Sequence, residues 1–106
     1  MLHDVGAADV ARYAGHVAAV DAWLARVPTG DARAIAVRLI QLADLWGRAC
    51  GRGDYGAADD YDRDMQWLLR LRASRRATVT VSDLRGLGMY CAILGRSAGQ
   101  VVTVPA

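Results

Sequence analysis

Apolar residues recur at helical spacing along the first two thirds of the chain. Val10, Tyr13, Val17, Val20, Leu24 and Val27 stand 3, 4, 3, 4 and 3 residues apart, which places them on one stripe of a helix. That spacing predicts a first helix over about 7–27. Pro28-Thr29-Gly30-Asp31 breaks it, and Asp31 is a good N-cap for the next. Ile35, Leu39, Leu42, Trp46 and Cys50 form the stripe of a second helix over about 32–50, and Val37, Ile40 and Leu45 widen it. A helix this apolar is usually central, packed on more than one side. Gly51-Arg52-Gly53-Asp54 ends it, with Gly51 suited to a left-handed cap. A third helix is predicted over about 57–74, with Tyr61, Met65, Leu68 and Arg72 on one face and Leu69 and Leu71 beside it.

The period then changes. Ala77-Thr78-Val79-Thr80-Val81 alternates and is rich in β-branched residues, so it reads as a strand over 77–81. Ser82 can cap a fourth helix over about 83–94. Gly86 and Gly88 each weaken that helix by about 1 kcal/mol relative to Ala, yet two glycines so close permit another backbone to approach. A second short strand is predicted over 100–104, stopped by Pro105. The expected fold is therefore a single α+β domain, mostly α: a three-helix core followed by a strand–helix–strand unit. A lone two-stranded sheet is marginal in water, so its edge and the apolar Val101 and Val102 suggest self-association as a homodimer.

Composition sharpens the picture in one respect. The chain has 106 residues, 13 of them Arg and 11 Asp, with no Lys, Glu, Asn or Phe. Lys, Asn and Phe have AT-rich codons, so their absence fits a GC-rich bacterium or a phage infecting one; the missing Glu has no such account. The net charge is only +2. Residues 1–69 nevertheless hold 7 Arg and 10 Asp, whereas 70–106 hold 6 Arg and 1 Asp. Most of that division lies in the third helix. Asp54, Asp59, Asp60, Asp62 and Asp64 crowd its start, and Arg70, Arg72, Arg75 and Arg76 its end. This order complements the helix macrodipole.

Motifs for chemistry fail one by one. Asp60-Tyr61-Asp62-Arg63-Asp64 opens like a calcium loop, but Met65 and Leu71 stand where Gly and an acid are needed. The Asp59, Asp60 and Asp64 trio has no second acidic helix to complete a metal site. Cys50 and Cys91 have no zinc-spaced partners and read as reduced thiols in a cytoplasm. Arg52-Gly53-Asp54 matches the integrin-binding tripeptide, yet a turn between helices explains it. His3 and His16 have no nucleophile at a diagnostic spacing, and Gly86-Leu87-Gly88 lacks the third glycine of a dinucleotide loop. No run of about 20 uncharged residues suggests a membrane span, and no basic-then-apolar leader is expected.

No enzyme activity, cofactor or metal is expected. Two functions survive. The first is a protein–protein binding module, an inhibitor or adaptor acting on a larger nucleoprotein complex. Its acidic face of Asp54, Asp59, Asp60, Asp62 and Asp64 would occupy a basic groove, and one of the three tryptophans would anchor the partner. The second is a small DNA- or RNA-binding regulator using Arg70, Arg72, Arg75, Arg76 and Arg85, with a helix-turn-helix over 81–95 as one form.

Overall fold

The computed structural model describes residues 7–28, 30–71 and 78–104, which form helices joined by turns with no strand among them. Helix α1 is Ala7–Leu24, α2 is Asp31–Gly51, α3 is Tyr55–Arg70, α4 is Val81–Leu94, and α5 is the single turn Ala98–Val101. The four long helices match the four expected, three from periodicity and the fourth from a capping residue, with ends shifted by a few residues; the cap of the fourth is Thr80 rather than Ser82. Of the predicted third helix, residues 72–74 lie outside the described residues.

The α+β assignment is overturned: the fold is all-helical, and the strand–helix–strand unit does not form. Of the first predicted strand, Ala77 lies outside the described residues. Thr80 is the N-cap of α4 and Val81 its first helical residue. The Asp83 amide donates to Thr80 Oγ1 at 3.2 Å, while Thr80 N donates back to Asp83 Oδ2 at 3.0 Å. This reciprocal capping box satisfies two amides that a lone strand would leave unpaired. Val79 buries its side chain in the core instead of pairing.

The second predicted strand fails for a similar reason. Ser97 N donates to Gln100 Oε1 at 3.0 Å, and Val102 N closes the turn onto the Ala98 carbonyl at 2.9 Å. The tail beyond is held by a carboxylate, Thr103 N donating to Asp21 Oδ1 at 3.0 Å. Val102 is 3% exposed. The strand edges and bare valines that suggested self-association are therefore not there.

The turns also differ in detail. Gly51 stays helical, Arg52 is the cap at φ −97°, and Gly53 takes the left-handed conformation at φ 76°. Asp31 is the first helical residue rather than the N-cap, which is Gly30.

Helix α2 packs between α3 and α4, as its apolar surface requires, and α1 lies on the far side of α4. Leu39 and Leu42 of α2 meet Met65 of α3, Leu84 and Leu87 of α4, and Val20 and Leu24 of α1 in one buried cluster. The two glycines of α4 explain how it fits between α1 and α2. They stand two residues apart, about 200° round the helix. A side chain on Gly88 would strike the Ala43 carbonyl and the Trp46 ring of α2; one on Gly86 would strike His16 of α1. On α2, Gly47 faces Gly88 directly. The approach of another backbone expected of the α4 glycines is met at Gly88, whereas Gly86 admits the His16 side chain.

Candidate functional site

The five aspartates of the candidate acidic face do not act together. Asp54 caps α3, its Oδ1 accepting from Ala57 N at 3.2 Å, with Arg52 Nη2 at 3.7 Å from Oδ2. Asp59, Asp60 and Asp64 are exposed along α3, and Asp60 Oδ1 lies 3.2 Å from Arg63 Nη2. Asp62 turns inward. Arg85 Nε and Nη2 donate to its two oxygens, both at 2.7 Å, and Gln66 Nε2 donates at 2.7 Å as well. The hydrogen bonds from Arg85 hold the Asp62 carboxyl below its usual range, outweighing partial burial, and Gln66 adds to the effect. Bidentate carboxylate–guanidinium pairing is the strong form of such contacts. It ties α3 to α4.

That pair removes one member from each candidate surface, because Arg85 belonged to the proposed basic patch. Arg70 is exposed at the end of α3. Arg72, Arg75 and Arg76 lie outside the described residues. What the structure brings together is the outward face of α3: Asp59, Asp60 and Asp64 with Arg63 and two aromatics. Tyr55 is 67% exposed and Trp67 is 60% exposed. Trp23, by contrast, is 8% exposed in the core, and Trp46 is half-buried against Gly88. Sequence reading singled out the tryptophans as a set without separating them. The signal was available: Trp67 falls off the Tyr61-Met65-Leu68 stripe by about a third of a turn.

A second polar junction lies at the start of α4. His16 Nδ1 of α1 is 2.8 Å from Asp83 Oδ1, while Asp83 Oδ2 serves the capping box. Burial works against ionisation of Asp83, but the bonds from His16 and Thr80 outweigh it and hold the carboxyl below its usual range. Both Asp83 oxygens are thus committed to holding α1, α4 and the Thr80 turn together. A recess of about 390 Å³ opens between the end of α1, the start of α2 and the tail, lined by Asp21, Leu24, Ala25, Val27, Arg33 and Thr103. Neither His16 nor any residue of the acidic face lines it.

Both cysteines are free thiols. Burial pushes Cys91 up to about 11, with Asp44 adding and Arg48 opposing. Burial also raises Cys50, reinforced by Asp59 and Asp62. No group of three or more His, Cys or acidic residues among the described residues is placed to hold a metal ion. No described helix is long and apolar enough to cross a membrane.

No protein-family model, curated protein or solved structure matches the chain.

Proposed function

We propose that this chain is a non-enzymatic protein-binding module, a small inhibitor or adaptor whose α3 face docks on a basic surface of a larger nucleoprotein complex. The observation that carries this reading is Trp67, which is 60% exposed on the same face as Asp60 and Asp64. A large aromatic held in water is costly to keep there and is the residue type most enriched at binding hot spots. Carboxylates around it would steer it towards Lys and Arg and away from acidic surfaces. Asp62 takes no part, because Arg85 holds it. Reading it as a cytoplasmic protein of a bacterium or phage rests on its two free thiols and on its codon bias.

The test is quantitative affinity capture from the source cell. Bait with Asp59 and Asp64 both changed to Arg should lose at least tenfold of the proteins retained by the wild type, and Trp67→Ala should lose the same ones. Identical recovery by all three baits would sink the reading. The rival, nucleic-acid binding by the Arg-rich end, is weakened by the engagement of Arg85 with Asp62. It predicts a gel shift at low salt that vanishes steeply as salt rises.

A further inference from the structure

We infer that the outward face of α3 is a self-complementary seam on which a second copy of this chain packs antiparallel. The inference rests on the reading of that face as a docking surface, and it names one occupant for it.

The four outermost positions of α3 are Gly56, Asp60, Arg63 and Trp67, all exposed. Their spacing of 4, 3 and 4 is that of a two-helix seam. Run antiparallel against itself about a two-fold axis midway between Asp60 and Arg63, this line matches at every position. Asp60 of each copy meets the other copy's Arg63. Trp67 of each copy meets the other's Gly56.

The chemistry at each layer is complementary. Arg63 Nη2 already lies 3.2 Å from Asp60 Oδ1 within one chain. The two-fold turns that single pair into a ring of four alternating charges, and networks are the arrangement in which surface charges count. At the outer layers the indole needs room. Gly56 leaves it, since a side chain there would meet nothing nearer than Asp54 Oδ1 at 3.9 Å. The neighbouring Tyr55 ring, 67% exposed, stands ready to flank the incoming indole. Asp59 and Asp64 fall to either side of the line and stay on the rims, whereas Trp67 is covered in the seam, so a basic partner that uses Trp67 must first part the two copies. One helix pair covers less than the ~800 Å² per partner of a standard stable interface, so the dimer dissociates on dilution.

Sedimentation velocity over a concentration series up to millimolar, with circular dichroism to confirm that each variant is folded, reads this directly. The wild type should shift from monomer to dimer as concentration rises. Trp67→Ala should raise the dissociation constant at least tenfold. Asp60→Arg alone and Arg63→Asp alone should each be monomeric, because each sets like charges opposite one another. Mixed together, those two variants should form a dimer again, since every Arg then faces an Asp. A wild type that stays monomeric throughout overturns the inference, as does a dimer indifferent to Trp67→Ala, or a mixture that fails to restore association. Trp67 serves both readings, so Asp59 and Asp64 are what separate them: changing both to Arg should leave the dimer intact while capture of a basic partner is lost.

Discussion

Replacing Gly47 with Ala should unfold this protein more readily, although the same change in an ordinary helix stabilises it. In an open helix interior, Gly→Ala gains roughly 0.5–1 kcal/mol from reduced chain entropy. At Gly47 the new Cβ would lie 2.5 Å from the Gly88 carbonyl carbon and 2.9 Å from its Cα, and would overlap the carbonyl oxygen. All three are backbone atoms, so no side chain can swing aside. Ordinary contact begins near 3.4 Å, so α2 and α4 must separate by roughly 1 Å at the centre of the core. Overpacking on this scale costs about 1–3 kcal/mol and occasionally more. Here it acts at a buried backbone contact where Gly88 is already tight against the Ala43 carbonyl and the Trp46 ring, so the upper end applies. After the helix gain is set against it, the expected net loss is about 2 kcal/mol, a fall in Tm of roughly 8–15 °C for a domain of this size. Thermal melts followed by circular dichroism, with urea titration for the free energy, measure it. Gly15→Ala is the internal control: it lies within α1 and its added Cβ would meet nothing within 4 Å, so it should gain about 0.5–1 kcal/mol. A Gly47→Ala protein as stable as the wild type, or a Gly15→Ala protein that loses as much, would refute the glycine contact as the reason α2 and α4 meet so closely.

Asp62→Ala should cost about 1 kcal/mol, kept modest because the Arg85 side chain is 40% exposed and regains water. Asp62 and Asp83 both ionise below the usual carboxylate range. Their stabilisation is therefore present above the unfolded-state value of about 3.9 and is lost as pH falls through the lower folded values. Urea midpoints taken from pH 6 down to pH 3 should fall less steeply for Asp62→Ala than for the wild type; parallel curves would remove the pair from the acid response. The thiols should differ in reactivity, because Cys91 is buried and pushed up to about 11. At pH 8 a disulfide reagent should label Cys50 first and reach Cys91 only on unfolding, as peptide mass mapping would show.

The sequence discloses the first three helices because each carries an apolar stripe at a helical period, whereas the fourth was marked only by a capping hydroxyl. It also discloses the meaning of Gly86 and Gly88 as points of close approach. The C-terminal third misleads because Thr78-Val79-Thr80-Val81 has the alternation of a strand within four residues, too few to outweigh a local cap. The competing signal was present in the same letters: Thr80 with Asp83, and Ser97 with Gln100, are both the hydroxyl-then-acid-or-amide spacing of a capping box. A two-stranded sheet would have had to repay its loop closure with long-range pairing, whereas a cap forms among neighbours. For the candidate site, composition located the acidic end of α3 but not its division. Whether Asp62 points inward depends on where α4 places Arg85, 23 residues later, and no local pattern carries that information. The exposure of Trp67 was legible as a departure from the apolar stripe, and Tyr55 only as the residue beside a turn.

The position of α1 has a consequence for how the chain is made. Its main partner is α4, and the His16–Asp83 contact that joins them spans 67 residues. Helices α2 and α3 are neighbours in both sequence and space, so that hairpin can close early, as local contacts do. During synthesis α1 would then wait, its Val20 and Leu24 uncovered, until α4 had followed. A stalled or clipped product ending before Val81 would keep a paired hairpin but leave α1 with no surface to rest on, and such exposed apolar stripes are what chaperones and proteases recognise.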